Sequence, residues 1–508
     1  MGWSSWNSYR IHINEDLIKG AADSLISKGL AEVGYNYVNI DDGWFGSIDS
    51  IGRTTDGIVR IHPVRFPNGM KVVADYIHSR GLKAGIYSDA GVNTCGSIWD
   101  NDAYGIGVGL YGHDEFDSEV FFNDWGYDYI KVDWCGGDAT GKSEQERYTA
   151  IKNAMLKTGR EDLRLNICRW EFPGTWAMNV GGSWRICHDI TPEWGAVINQ
   201  FNHSLYLAAY AGPGHFNDMD MIEIGNPKST FTPTEEKAHF SLWCMMKSPL
   251  MMGCNLETVA RDKVDIYKNT ELIAINQDNL GEQAKVVWRK GDLITLACDL
   301  EEANGPVKAV CLFNKSEEPE LMRINFSDLY LSNDATVRDL WKHEDLGQFK
   351  KYYETIVEPH ETVVLKVKGK KAYDRTTYEG EYAFMNEYLP KDQEKRAHYA
   401  FLPEASGEYV MKNLGGSETN WAEFRNVCVS KAGSYDLTVY FTCEDQRGLN
   451  ITVNNNGFFS LPRLSSGSKD KIEQKTIRIQ LNKGNNVIRM SNSNAKAPDI
   501  DKITLIKK

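Results

Sequence analysis

From its first residue to about residue 280, the chain alternates short apolar runs with segments of helical periodicity. One apolar run is Tyr37–Ile40, and helical spacing covers Asn14–Lys28 until Gly29 stops it. Strands that alternate with helices indicate a parallel sheet with crossover helices. Since about eight such units fit into this length, the pattern predicts an α/β fold, a (β/α)8 TIM barrel over residues 1–280.

After this region the helical pattern fades and β patterns take over. Runs such as Ala309–Phe313, separated by turn residues, predict an antiparallel β-sandwich over residues 281–370. The basic stretch Lys366–Lys371 contains a glycine, and we interpret it as a linker. Alternating strands at Tyr435–Tyr440 and Thr476–Leu481 predict a second β-sandwich, of the jelly-roll kind, over residues 373–508.

Composition excludes several functional classes. The 508 residues carry a net charge of -13, which disfavours nucleic acids and anionic membranes as partners. No apolar stretch approaches the roughly 20 residues of a membrane span, and no export signal opens the chain. The ten cysteines include no CxxC pair, so we expect no structural zinc in the first half.

The strand Tyr129–Cys135 carries the first candidate for chemistry. Side chains alternate between the faces of a strand, so Tyr129, Lys131 and Asp133 share one face. We expect the ammonium of Lys131 to lower the pKa of Asp133, which favours an ionised carboxylate that can act as a nucleophile. In isolation, an aspartate that caps a helix or forms a salt bridge is the more common case.

Other ionisable residues occupy the same kind of position. In a barrel, the carboxyl ends of the strands carry the reactive groups. Arg185 and Asp189 lie close enough along the chain for the guanidinium to orient the carboxylate, although a surface ion pair is an equal alternative. The full set at predicted strand ends is Asp41, Asp42, Asp89, Lys131, Asp133, Arg185, Asp189 and Asp218.

One rival motif points to a dinucleotide site. Gly107, Gly109 and Gly112 spell GxGxxG. The fingerprint requires a hydrophobic strand directly before the glycines, and the preceding stretch Trp99–Tyr104 is too polar for one. We therefore disfavour a nucleotide-binding function.

The ordered motifs of the first 280 residues resemble glycoside hydrolase family 27, the α-galactosidase and α-N-acetylgalactosaminidase family. They appear in the family's order, which makes the resemblance specific. The matching stretches are Met1–Asn7, Asp41–Trp44, Gly85–Asp89, Tyr129–Cys135, Trp184–Arg185 with Asp189–Ile190, Ala211–Gly214 with Asn217–Asp218, and Ser241–Trp243 with Lys247–Leu250.

The resemblance implies a retaining exo-glycosidase that removes terminal α-D-galactose from oligo- or polysaccharides without a cofactor. Asp133 matches the family's nucleophile and Asp189 its acid/base. Asp41 and Asp42 match the acceptors for the 4- and 6-hydroxyls. The other residues that we expect to bind the sugar are Trp3, Tyr87, Lys131, Cys168, Arg169 and Arg185.

Two departures from the family pattern affect specificity. Members commonly have Cys-Glu-Trp where this chain has Cys168-Arg169-Trp170, so recognition at carbon 2 stays open. The longer segment Ile98–Tyr111 alters the rim around the leaving group. Alternative functions are a β-L-arabinopyranosidase, disfavoured because both paired aspartates are present, an α-N-acetylgalactosaminidase, or a sugar-binding protein without catalysis.

The resemblance also implies features outside the pocket. Cys95 and Cys135 match a family disulfide, which requires an oxidising compartment and points to the periplasm or the extracellular space. The last region resembles carbohydrate-binding modules of families 6 and 35, which often hold a structural Ca²⁺. The expected ligands are Glu379, Glu381 and Asp501, and an inert sandwich is an equal alternative. The oligomeric state is not predicted.

Overall fold

The computed structural model describes residues 1–303 and 305–508. They form two compact units. The first comprises Met1–Ser204 and Pro213–Gln277, and the second comprises Leu205–Gly212 and Asp278–Lys508.

The first unit is the predicted (β/α)8 barrel. Its eight parallel strands pair in the order β7-β6-β5-β4-β3-β2-β1-β8, and a parallel bridge between Ile222 and Met252 joins β8 to the segment after β7. Both faces of such strands are covered, so β3 is buried at every position from Ala84 to Asp89. The strands are β1 (Gly2–Ser4), β2 (Tyr37–Asn39), β3 (Lys83–Asp89), β4 (Tyr129–Asp133), β5 (Arg164–Cys168), β6 (Ser183–Arg185), β7 (Phe216–Asp218) and β8 (Met251–Met252).

Helices connect these strands, and their starts follow local capping rules. The side chain of Ser143 accepts from the N–H of Glu146 and that of Thr232 from Glu235, and in both cases the glutamate closes a capping box worth about 1 kcal/mol. The helices are α1 (Trp6–Tyr9), α2 (Glu15–Ser27), α3 (Met70–Ser79), α4 (Cys95–Trp99), α5 (Asp114–Ser118), α6 (Glu144–Lys157), α7 (Trp194–Ser204), α8 (Pro233–Met245), α9 (Arg261–Tyr267) and α10 (Thr270–Asn276).

The glycine-rich motif lacks the context of a dinucleotide site. Gly107 follows a short 3-10 helix, Ala103–Gly105, so the prediction that no strand directly precedes these glycines is confirmed. None of the helices described in residues 1–303 and 305–508 is long and apolar enough to cross a membrane.

The first part of the second unit is a sandwich of antiparallel strands. A six-stranded sheet in the order β14-β13-β16-β11-β10-β9 encloses, with the pair β12-β15, a core that includes Leu312, Ile324 and Leu365. The strands are β9 (Lys285–Lys290), β10 (Leu293–Leu300), β11 (Val307–Asn314), β12 (Glu320–Asn325), β13 (Asp334–Asp339), β14 (Glu344–Lys350), β15 (Tyr352–Val357) and β16 (Thr362–Gly369).

The predicted linker Lys366–Lys371 is wrong over most of its length. Residues through Gly369 belong to β16, which pairs with β11 and β13. Val367 is buried in the core, whereas Lys366 and Lys368 are half-buried and form ion pairs with Glu302. The stretch is therefore an amphipathic strand whose lysines suggested a linker.

The second part of this unit is another β-sandwich. One sheet has the order β19-β20-β27-β22-β25, with β17 also pairing β27, and the other has the order β18-β21-β26-β23-β24. The strands are β17 (Thr377–Glu379), β18 (Phe384–Met385), β19 (His398–Phe401), β20 (Tyr409–Lys412), β21 (Ala422–Val429), β22 (Gly433–Cys443), β23 (Arg447–Val453), β24 (Gly457–Leu464), β25 (Ser468–Leu481), β26 (Gly484–Ser491) and β27 (Asp499–Lys507).

Candidate active site

The strand register places several polar side chains at one end of the barrel. Asp89, Asp133 and Cys168 are aligned across β3, β4 and β5, and Arg185 is aligned with Asp218 across β6 and β7. These residues lie at the C-terminal ends of their strands, where barrel enzymes carry their active sites. The predicted collection of strand-end residues therefore lies on one face of the barrel.

Lys131 stands at the centre of this group. Its Nζ lies 3.0 Å from Oδ2 of Asp41 and 3.9 Å from Oδ2 of Asp133. Burial opposes its charge, yet the two carboxylates outweigh this effect and raise the pKa of Lys131 well above its ordinary value. The ammonium is therefore a fixed positive charge between two buried acids.

Lys131 lowers the pKa of Asp133, as expected, but burial is the larger influence and raises the net pKa of Asp133 to about 6. The thiol of Cys168, kept protonated because burial raises its own pKa, donates a hydrogen bond that also favours the Asp133 carboxylate. Asp133 is ionised at neutral pH, but by a narrower margin than the strand pattern predicts.

The paired aspartates are held by backbone donors. Oδ1 of Asp41 accepts from the N–H of Asp42 at 2.9 Å, and the Asp42 carboxylate accepts from Gly43 at 2.8 Å and Gly96 at 2.6 Å. Burial raises the pKa of Asp42 to about 7, and the nearby carboxylate of Asp41 contributes a smaller effect in the same direction. Two buried acceptors are thus fixed side by side.

Two aromatic residues surround Lys131, and one predicted aromatic does not. The ammonium lies 5.5 Å from the ring centre of Tyr87 and 5.9 Å from that of Trp6. Trp3 is 0% exposed and its indole donates to the carbonyl of Cys254. The prediction that Trp3 lines the pocket is wrong, because strand alternation turns it to the face opposite Ser4, and the half-buried Trp6 is beside Lys131 instead.

The carboxylate of Asp189 lies at the more open side of the group, with its side chain 53% exposed. Nη2 of Arg185 contacts Oδ1 of Asp189 at 3.0 Å and Oδ2 of Asp220 at 2.8 Å. Burial works to raise the pKa of Asp189, but the cations Arg185, Lys131 and Arg10 together lower it. The plain surface ion pair considered from the sequence does not apply, because Arg185 itself is buried.

Asp220 is a site residue that the sequence analysis missed. Its carboxylate also accepts from the backbone N–H of Ile190, the residue after Asp189, at 2.8 Å. Burial raises its pKa to about 6. Asp220 has a φ of 77°, and such a left-handed residue outside glycine often marks a functional turn. In the sequence, the one indication that Asp220 belongs to the site is its position two residues after Asp218, the last residue of β7.

Arg169 is engaged away from the central acids. Its guanidinium pairs with Glu144 at 2.8 Å and with Glu171 at 3.3 Å. Cys168, in contrast, lies 3.7 Å from Nη1 of Arg185 through its Sγ. Of the two adjacent candidates, Cys168 is the one whose side chain contacts the cluster.

The predicted disulfide between Cys95 and Cys135 is present. Asp89 supports the same two loops, because its Oδ1 accepts from Gly91 at 2.7 Å and from Gly136 at 3.0 Å. Burial raises the pKa of Asp89 well above its ordinary value. Burial thus favours the neutral form of Asp89, whose hydrogen bonds from Gly91 and Gly136 fasten the backbone around Asp133.

The predicted calcium ligands partly fit a metal. Oε2 of Glu379 and Oε2 of Glu381 are buried without a hydrogen-bond partner, which is a costly arrangement that a cation would relieve. Burial raises the pKa of Glu379 to about 7 and of Asp501 to about 6. In the described part of the chain, however, the oxygens of the three residues do not all lie within 4.8 Å of one another.

The barrel and its strand-end acids define an enzyme of the glycoside hydrolase type, in which two carboxylates flank the scissile bond. The family model described as Alpha galactosidase A matches residues 1–278, and that described as Alpha galactosidase C-terminal beta sandwich domain matches residues 291–367.

Individual proteins show the same similarity. Alpha-galactosidase 2 of Arabidopsis thaliana is 38% identical over 376 residues, which are 73% of this chain and 90% of that protein. The crystal structure of α-galactosidase I from Mortierella vinacea superposes with a TM-score of 0.65 at 31% identity, covering 73% of this chain and 98% of that one. A β-L-arabinopyranosidase of family 27 from Geobacillus stearothermophilus gives 0.62 at 25% identity, with coverages of 73% and 96%. The chain belongs to glycoside hydrolase family 27, the α-galactosidase family.

Proposed function

We propose that this enzyme hydrolyses terminal α-D-galactosyl residues of oligo- or polysaccharides with retention of anomeric configuration. The observation that carries the proposal is the pairing of two carboxylates with different surroundings, the enclosed Asp133 and the open Asp189. Retaining glycosidases need one carboxylate for each role.

In the first step the Asp133 carboxylate attacks the anomeric carbon. The bond to the leaving oxygen breaks, and Asp189 gives its proton to that oxygen. In the second step Asp189 takes a proton from water, the resulting hydroxide attacks the anomeric carbon, and the ester bond to Asp133 breaks. Each carboxylate returns to its starting state, and the sequence of steps needs no cofactor.

The charges around Asp189 set a requirement for this mechanism. Asp189 must be protonated in the first step, yet Arg185 and the other cations lower its pKa. The active form therefore carries the single proton on the less basic of the two acids. A bound sugar excludes water from the mouth, which favours the neutral form of Asp189.

Sugar recognition in this proposal uses the charged groups around Lys131. Asp41 and Asp42 accept hydrogen bonds from the 4- and 6-hydroxyls, since carboxyl oxygens are good acceptors for hydroxyl donors. Lys131 donates to the oxygen at carbon 3, and Arg185 to that at carbon 2. Because Arg169 is paired with Glu144 and Glu171, we assign the contact at carbon 2 to Cys168 and Arg185.

The second candidate function is a β-L-arabinopyranosidase, favoured by the structural likeness to the Geobacillus enzyme. The retention of aspartate at both positions 41 and 42 favours galactose. The test compares hydrolysis of the p-nitrophenyl α-D-galactoside, β-L-arabinopyranoside and α-N-acetylgalactosaminide, with the first-formed anomer followed by NMR. Fastest galactoside cleavage with α-galactose released first supports the proposal, whereas first release of β-galactose contradicts the retaining mechanism. No cleavage of any would favour a sugar-binding protein without catalysis.

For the whole chain we propose three domains, residues 1–280, 281–370 and 373–508, which agrees with family models that end at residues 278 and 367. We propose that the last domain binds a structural Ca²⁺ through Glu379, Glu381 and Asp501, with side chains drawn together by the ion. We also propose that the enzyme is located in the periplasm or the extracellular space, since the disulfide requires oxidising conditions.

A further inference from the structure

A strongly exposed tryptophan lies on a helix that forms part of the pocket. Trp99 is the last residue of α4 and is 71% exposed. Among residues 1–303 and 305–508, its ring has no aromatic or cationic partner and its indole N–H has no acceptor. Single exposed apolar residues are common on proteins, so exposure alone does not indicate a function for Trp99. The position of Trp99 relative to the active site is the relevant observation.

The first turn of α4 contacts the sugar-binding acids. Sγ of Cys95 lies 3.1 Å from Oδ2 of Asp133, and the N–H of Gly96 donates to Asp42 at 2.6 Å. Trp99 follows Cys95 by four residues, which on an α-helix places it about 6 Å further along the axis on nearly the same side. The helix therefore runs from the pocket wall to an exposed end at Trp99.

The residue after Trp99 connects this end to the acid/base. Asp100 accepts two hydrogen bonds from Arg10, at 2.7 Å from Nε and 2.8 Å from Nη2. The guanidinium of Arg10 also lies 4.7 Å from the ring centre of Trp6, which borders Lys131. Arg10 is near enough to Asp189 for each charge to favour the other. Trp99, Asp100 and Arg10 thus belong to the rim beside Asp189.

This inference rests on the proposed function, in which Asp189 protonates the leaving oxygen. The leaving group must therefore occupy the side of the pocket beside Asp189. We propose that Trp99 and Arg10 form the leaving-group subsite, and that the leaving group is a pyranose. The apolar face of the pyranose stacks on the solvent-exposed face of the indole, because an aromatic ring offers a large apolar surface. Nη1 of Arg10, which has no acceptor in the described chain, donates to a hydroxyl.

The test separates the leaving group from the galactosyl group. The Trp99→Ala, Trp99→Phe and parent enzymes are compared on melibiose and raffinose, whose leaving groups are sugars, and on α-D-galactosyl fluoride, whose leaving group is a single atom. We expect kcat/KM of Trp99→Ala to fall about tenfold on both oligosaccharides and to be unchanged on the fluoride. Trp99→Phe restores most of the loss because it keeps an aromatic face.

Phe116→Ala, which removes an aromatic ring that is 43% exposed on α5, is the matched control and should leave all substrates unaffected. An equal loss of Trp99→Ala on oligosaccharides and fluoride would overturn the assignment, and so would no loss on either. A parent enzyme that cleaves neither melibiose nor the fluoride contradicts the proposed function itself, before any variant is compared.

Discussion

The Sγ atom of Cys95 lies 3.1 Å from Oδ2 of Asp133. Cys95 is bonded to Cys135 and has no hydrogen to donate, so the sulfur packs against the carboxylate without hydrogen-bonding to it. The disulfide and the proposed nucleophile are therefore in direct contact, and a change in one affects the other.

Removing the disulfide is expected to cost both stability and activity. It joins residues 40 positions apart, for which loop-closure entropy gives about 4 kcal/mol. The double variant Cys95→Ala/Cys135→Ala should unfold at lower denaturant concentration and show a reduced kcat/KM, because the loops beside Asp133 loosen. Cys428→Ala, which removes an exposed free thiol, serves as control, and parent-like stability of the double variant would contradict the prediction.

Asp133 and Asp189 are expected to respond differently to the leaving group. Asp133→Asn removes the nucleophile and should lower kcat on every substrate, on the order of 10⁴-fold or more. Asp189→Asn removes the acid and should lower kcat/KM on melibiose by about 10² to 10⁴-fold, with a much smaller loss on galactosyl fluoride, which needs no protonation. Initial rates on the two substrates measure this contrast, and similar losses for Asp189→Asn on both would exclude it as the acid.

The pKa shifts predict an acidic optimum for kcat/KM. Burial raises the pKa of Asp133 to about 6, while the surrounding cations lower that of Asp189 below its ordinary value. Above pH 6 both acids are ionised and no proton is available; below the pKa of Asp189 both are protonated and no nucleophile is available. Activity should thus fall about tenfold per pH unit above 6. A profile flat from pH 6 to 8 would disagree.

Asp220→Asn tests how Arg185 is shared. Asp220 shares the Arg185 guanidinium with Asp189, and burial raises the pKa of Asp220 to about 6. Above pH 6, where the parent Asp220 is ionised, the Asn variant leaves more of the guanidinium charge for Asp189 and lowers the pKa of Asp189 further. Asp218, Lys131 and Arg10 also contribute to this field. Above pH 6 the kcat/KM of Asp220→Asn should therefore fall below that of the parent, roughly tenfold per unit of pKa change, and at about pH 4, where the parent Asp220 is protonated, the two enzymes should be alike.

The matched control for this prediction is Glu223→Gln. Glu223 is equally buried but bonds Asn7 and Asn226, not Arg185. Its kcat/KM above pH 6 should match that of the parent. If Asp220→Asn also matches the parent above pH 6 and loses only thermal stability, Asp220 has a structural role alone.

Calcium is expected to stabilise the last domain in a pH-dependent way. The pKa of Glu379 is raised by burial to about 7, so the folded state binds more protons than the unfolded state and loses stability as pH rises from about 4.5 to 7. Added Ca²⁺ should offset this loss, measured as the thermal midpoint with and without EDTA. Glu381→Gln should weaken the response and Glu444→Gln, an exposed control, should not. A midpoint insensitive to Ca²⁺ at pH 8 contradicts the site.

The barrel was predictable because each strand and helix carries its own local signal. Asn14 and Thr232 cap helices by side-chain bonds that require only nearby residues, and Gly29 stops α2 where the spacing ends. The acids at the strand ends were predicted for the same reason, since the end of each apolar run in the sequence marks the end of the strand. The predicted linker failed because lysines at Lys366 and Lys368 can face solvent from a strand as well as from a loop.

The site was less predictable where several elements meet. Trp3 and Trp6 are three residues apart, and only the change from strand to helix between them decides which one borders Lys131. The pKa of Asp133 depends on the sum of burial, Lys131 and Cys168, and burial is a property of the whole barrel. The turn at Asp220 likewise depends on Arg185 and Ile190 from another strand end.

The backbone approach of Gly96 to Asp42 limits how this enzyme can change its specificity. A Cβ at position 96 would stand 2.8 Å from Oδ2 of Asp42 and 2.8 Å from Ile11, so a larger residue fits there only if Asp42, Ile11 or the helix is displaced. Glutamate at position 42 would push its extra methylene group toward the same backbone, whose N–H already donates to Asp42 at 2.6 Å. A change of sugar specificity through position 42 therefore requires a matching adjustment of α4, and a single substitution there is not expected to achieve it.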